Sequence, residues 1–187
     1  MKAFFATLAL AAVLAGCSLP AQLRSSPDVR YYVLSSPLPA SSTTELATIG
    51  VLPVTLPGYL MRQQIVLRDA DGINISINEY ERWGESLSQG ISRVLCDSLA
   101  VRGVPALPLR TGAKVSDRLM LDVRRLDGPL GGDVVFDVVW RLQRDGKVLS
   151  SGHMVKSRPA GDSMESMVRA QSLLVQDLAE DIAGRLR

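Results

Sequence analysis

From Ala47 onward the chain switches repeatedly between a strand rhythm and a helix rhythm. "ATIGVLPVTLP" (47–57) is a nearly continuous apolar run of the kind a buried strand shows, with Pro53 at its end or at an irregularity. "IVLRDADGINISINEYERW" (65–83) reads as two strands turning at Asp71-Gly72. From about Arg82 the period lengthens. Trp83, Leu87, Ile91, Val94, Leu95 and Leu99 recur at helical spacing to about Arg102, and Gly103 is placed to stop the helix. "VPALPL" then reads as a short strand, so strand, helix and strand predict a βαβ element. "DRLMLDVRRLDG" is a further strand, and "GPLGG" (128–132) a turn. Val134, Phe136, Val138, Trp140 and Leu142 alternate on one face of the next strand, and Asp145-Gly146 is the strongest hairpin signal in the chain. Asp162 and Glu165 have capping-box spacing before a stripe that runs from Met167 to Leu186. The pattern predicts an α/β fold: a single domain with a mixed β-sheet and two long amphipathic helices packed on it.

The N-terminus follows a different rule. Lys2 precedes an apolar or small stretch from Ala3 to Ala15, then Gly16 and Cys17. A membrane-spanning helix needs about 20 apolar residues, so this shorter run reads as an export signal. Leu14-Ala15-Gly16-Cys17 resembles the bacterial lipobox, in which the cysteine thiol takes a diacylglycerol before cleavage between Gly16 and Cys17. The alternative is an ordinary secretory signal that happens to hold a cysteine. Residues 1–16 are thus expected to be a removed signal peptide and 17–30 a lipidated N-terminus and flexible tether. Residues 31–187 are the expected domain. Removal leaves roughly 170 residues, enough for one domain with its own core. A tether of about 12 residues reaches about 40 Å at about 3.3 Å per residue. Ser18 is not the aspartate that commonly retains lipoproteins at the inner membrane, and in a diderm bacterium the lipobox resemblance then implies sorting to the inner leaflet of the outer membrane.

Charge and chemistry narrow the class further. A formal net charge of +2 is no footprint for nucleic acid. With Cys17 acylated, Cys96 has no partner for a disulfide, and it falls on the apolar side of a helix as a buried thiol. His153 is the lone histidine, on a hairpin strand, and no serine sits in a G-x-S-x-G elbow. Asp69/Asp71 and Glu79/Glu81 could form a glycosidase pair only at about 5–9 Å separation, and solvated strand edges explain them as well. "GPLGG" lacks the lysine and hydroxyl of a phosphate loop. The expectation is a non-enzyme with no metal and no cofactor beyond the covalent lipid on Cys17. An anchored hydrolase using His153 or a carboxylate pair is the competing class.

Two stretches carry the residue types of an interface. "PGYLMR" (57–62) is a tight turn with Tyr59 and Leu60 beside Arg62. The alternative is that Tyr59 and Leu60 fold back over the sheet end. "YYVL" presents Tyr31 and Tyr32 next to the tether, either as an edge strand or as a strand added to another protomer.

These segments together resemble one family. A lipobox, then "YYVLSS", then "IGVLPVTLPGYLMRQQIVLR", then "WGESLSQGISRVLCDSLA" are similar in order to the PqiC-like lipoproteins, auxiliary components of ABC-type or MCE-type transport systems. The "LPGYL-R--IV-R" segment and the tryptophan-led helix are the most specific. The resemblance implies an outer-membrane lipoprotein facing the periplasm, bearing N-palmitoyl and S-diacylglycerol groups on Cys17. It also implies an MCE-domain protein as partner in intermembrane lipid transport, with a role in membrane integrity. The resemblance extends to at least one relative with a ring assembly, so a homo-oligomeric ring is a further implied state. The alternative role is a structural or assembly lipoprotein of a secretion machine.

Overall fold

The computed structural model describes residues 27–37, 49–109 and 115–186. Along them run β1 (Arg30–Tyr32), β2 (Ile49–Val51), a 3-10 turn (Gly58–Leu60), β3 (Gln64–Arg68), β4 (Ile75–Trp83), α1 (Leu87–Val101) and β5 (Ala106–Pro108). β6 (Asp117–Asp127), β7 (Asp133–Arg144), β8 (Lys147–Pro159) and α2 (Met164–Arg185) complete the order. The α/β class, the mixed strand directions and the two long helices hold. In place of one sheet there are two, ordered β1-β4-β3 and β5-β2-β6-β7-β8.

The larger sheet explains the alternation in the sequence. β6, β7 and β8 form an antiparallel meander, and β2 lies parallel to both β6 and β5. Leu119, Leu121 and Val123 of β6 and Val134, Phe136, Val138, Trp140 and Leu142 of β7 point to one face, where Ile91, Leu95 and Leu99 of α1 and Leu174, Leu178 and Ile182 of α2 join them in a single core. Arg118, Met120, Asp122 and Arg141 take the opposite, exposed face. Asp145 and Gly146 both adopt positive φ, 47° and 77°, as a two-residue hairpin that matches strand twist requires. Across the β7–β8 ladder, Gly152 stands opposite Trp140, and a Cβ there would lie 2.7 Å from the indole nitrogen. The missing side chain is what lets the indole lie flat.

Three local expectations are corrected. Trp83 ends β4 instead of leading the helix, because Gly84 and Glu85 break the chain and Ser86 caps α1 by accepting from the Gln89 amide at 3.3 Å. α2 is capped by Ser163 and Ser166 rather than Asp162 and Glu165. Glu165 is turned instead toward Arg30 and Tyr32. Finally, α1 does not close a βαβ unit. It follows β4 of the small sheet but delivers β5 to the large one, beside β2. The helix therefore staples the two sheets together.

Candidate functional site

Beyond Val51 the chain stays on the edge of β6 without forming a regular strand. The Leu52 amide donates to Leu119 O at 2.9 Å and the Thr55 amide to Leu121 O at 3.0 Å, while Thr55 O accepts from Val123 at 3.0 Å. Pro57 then opens the 3-10 turn, in which the Leu60 amide donates to Pro57 O at 2.9 Å. The turn drives Leu60 into the core at 4 % exposure and leaves Met61 outside. Its far end is tied to β4 by the Trp83 amide, which donates to Gln63 O at 2.6 Å. Ser88, in the first turn of α1, donates its hydroxyl to Val54 O at 2.9 Å.

These ties hold three segments around a groove of about 640 Å³. Leu56, Leu60, Met61, Trp83 and Leu87 give it apolar lining, and Arg62, Gln63 and Glu85 add polar groups. Such a volume lies within the roughly 300–1,000 Å³ usual for binding clefts. A second hollow of about 610 Å³ shares Pro53, Glu85, Ser86 and Ser88 with it and extends to Arg93 and Leu109. Arg93 ties its lining to the N-terminal segment, donating to Leu34 O at 2.8 Å and pairing with Glu85.

Beneath the turn lies a charged cluster. Asp127 is fully buried and accepts from Tyr59 Oη at 2.6 Å, Arg68 Nε at 2.8 Å and Arg125 Nε at 2.8 Å. The Arg68 guanidinium also sits 5.1 Å from the centre of the Tyr59 ring. Burial alone would raise the Asp127 carboxyl. The hydrogen bonds from Arg68, Tyr59 and Arg125 outweigh it and hold the group below the usual carboxylate range. The Tyr59 hydroxyl is pushed up to about 12, first by burial and then by its bond to Asp127. The cluster joins β3 of one sheet to β6 of the other and fixes the base of the turn.

The residues singled out in sequence therefore separate. Leu60 and Tyr59 follow the fold-back alternative, one in the core and one held by Asp127. Arg62 lines the groove and donates Nε to Tyr59 O at 3.1 Å. Tyr31 is 65 % exposed, whereas Tyr32 is half-buried with its hydroxyl donating to Glu165 at 3.2 Å. Burial, then the nearby Glu81 carboxylate, raise the Tyr32 hydroxyl. Gly16 and Cys17 lie outside the described residues. The competing catalytic candidates all lie outside the groove, and Asp69 is exposed. His153 Nε2 is 2.8 Å from Asp137 on the neighbouring strand. Asp71 accepts the Ile73 amide in its own turn at 2.9 Å, Glu81 pairs with Arg30, and Glu79 accepts from Gln64 at 3.3 Å. Burial pushes the Cys96 thiol up to about 12, the range of an unreactive core thiol.

Sequence reasoning assigned no role to Met61, Glu85 and Ser86 in the groove or to Arg125 and Asp127 below it, and it marked Arg68 only as the end of the segment most specific to the family resemblance. The available signal for Asp127 was its place at the end of an alternating apolar strand, where a solvated residue would be out of phase.

The model of the family described as ABC-type transport auxiliary lipoprotein component matches residues 32–183, a span that holds both walls of the groove. The chain belongs to this family. Among solved structures, the auxiliary lipoprotein is similar to an uncharacterised protein with 20% sequence identity and a TM-score of 0.72, over 86% of this chain and 99% of that one. It is also similar to a protein from Xanthomonas campestris with 12% identity and a TM-score of 0.68, over 84% and 94% of the two chains. At these identities the likeness is one of fold. No sequence among the curated proteins matches the lipoprotein. Among its described residues, no helix is long and apolar enough to cross a membrane.

Proposed function

We propose that this auxiliary lipoprotein is held by lipid on Cys17 in the outer membrane, facing the periplasm, where it docks the conduit of an MCE-type lipid transport system. Its role is binding and positioning, not turnover. The observation that carries the reading is that "LPGYLMR" and "WGESLS", the stretches that mark the family resemblance, supply facing parts of one groove although some 20 residues of hairpin separate them. A groove of apolar lining with a guanidinium beside it has the makeup of an interface centre. Confinement to a membrane raises the local concentration of such a module near a membrane-bound partner, so modest affinity is sufficient.

Capture from detergent-solubilised membranes tests the docking. The unsubstituted lipoprotein should recover an MCE-domain protein, and the Met61→Asp/Arg62→Glu variant about tenfold less, the size of losing an interface anchor. Recovery of no MCE protein by the former, or equal recovery by both, overturns the reading. The anchor is tested separately. Cys17→Ser is expected to leave the protein unprocessed or off the membrane, and retention in salt-washed outer membranes would refute the lipid attachment.

A further inference from the structure

Among the described residues, the small sheet leaves part of one edge open. β4 spans nine residues, from Ile75 to Trp83, but β1 pairs only with its last three, Glu81 to Trp83. Parallel pairing further upstream would set Asp28 against Glu79 and Pro27 against Asn78. That is a like-charge pair and a residue with no amide hydrogen, so β1 stops at Arg30. Among the described residues, no strand pairs with Ile75 to Tyr80 on that side.

The open stretch is unusual for an edge. Residues 73–78, "INISIN", hold no charge and no proline, the devices that normally protect a strand edge. Ile73, Ile75 and Ile77 are exposed at 81 %, 38 % and 41 %. Residues 74–78, Asn-Ile-Ser-Ile-Asn, also read the same in both directions. An antiparallel copy centred on Ser76 places Ile75 opposite Ile77 twice and Asn74 opposite Asn78 twice, with every residue on its own face of the sheet.

We infer that the open edge of β4 pairs antiparallel with the same edge of a second copy of this chain, on a twofold axis at Ser76. The contact is isologous, so it joins two copies and stops there, unlike the head-to-tail contact of a ring. Six residues of edge make an interface well below the roughly 1,200–2,000 Å² of a standard stable complex. The pair is therefore populated where copies are concentrated in a membrane. The inference rests on the proposed anchor for that concentration alone, and the fractionation of Cys17→Ser reports on the anchor independently.

A cysteine on the twofold axis reads this geometry directly. Opposed residues in such a pair have Cβ atoms about 4.5–5.5 Å apart, within reach of a disulfide after small adjustment. Full-length Ser76→Cys, oxidised in native membranes, is expected to form a cross-linked dimer above the background of the unsubstituted chain, whose described cysteine, Cys96, is buried. Ile73→Cys should cross-link at least tenfold less, because in this register the two copies of residue 73 lie about 20 Å apart at roughly 3.4 Å per residue. Adding Ile75→Lys and Ile77→Lys to Ser76→Cys should abolish the cross-link while circular dichroism shows the same melting temperature. No dimer at position 76, equal cross-linking at 73 and 76, or a cross-link that survives the two lysines overturns the pairing.

Discussion

Asp127→Ala is expected to lower the stability of the domain by about 3–5 kcal/mol, read as a shift in the urea midpoint. The carboxylate is fully buried and is the shared acceptor for Arg68, Arg125 and Tyr59. Removing it leaves three donors, two of them cationic, without their shared acceptor, Arg68 among them largely shielded from water. Against a typical total of about 5–15 kcal/mol this is a large fraction. Acid should act on the same group. A carboxyl whose folded value is depressed contributes its full stability above the unfolded value of about 3.9 and loses it as pH falls through the lower folded value. Asp117 and Asp177 shift the same way through Arg144 and Arg158, so the fold should weaken below about pH 4. Asp127→Asn should flatten that decline. A variant with the same acid profile as the original would show that the cluster does not carry it.

Gly128→Ala is expected to cost about 3 kcal/mol or more, the upper end for a forced steric insertion. A Cβ on Gly128 would run into the Asp133 carbonyl oxygen and lie 2.9 Å from Val134 Cα. Those are backbone atoms at the start of β7, and no rotamer change relieves the clash. The same glycine offers its carbonyl to the Arg68 amide at 3.2 Å, so displacing it also loosens the junction between the sheets. Thermal unfolding checks this. A melting temperature within a degree or two of the original would mean that the turn can open without consequence for the fold.

The large sheet was legible because each of its signals is local. The alternation in β7 has period two over nine residues, and Asp145-Gly146 is one of the few pairs that accept positive φ twice in succession. The stripe of α2 was equally plain. Trp83 was misread because it satisfies both rhythms, two residues after Glu81 on the buried side of β4 and four before Leu87. The deciding information lay in Gly84 and Ser86, which end one element and cap the next. The second sheet was invisible because it depends on three residues, Arg30 to Tyr32, finding a strand some 50 positions away. Asp127 was hidden for a subtler reason. Counting by twos from Leu119 puts the aspartate in the inward phase, but the register shift between Val123 and Arg125 gives the core-facing place opposite Phe136 to Leu126. The burial of Asp127 opposite Val135 therefore depends on Tyr59 and Arg68, which no local pattern announces. The resemblance to a family marked both walls of the groove, but nothing local says that "LPGYLMR" and "WGESLS" meet.

Tyr32 O accepts the Gly84 amide at 2.7 Å, and Gly84 lies on the wall of the groove. Arg30, two residues earlier, is clamped by Glu81 and Glu165. A pull transmitted along the chain into Pro27 therefore enters the described body through this short strap, beside the mouth of the cleft. On the proposed mooring at Cys17, such a pull would be felt at the place where the module is proposed to grip its cargo line.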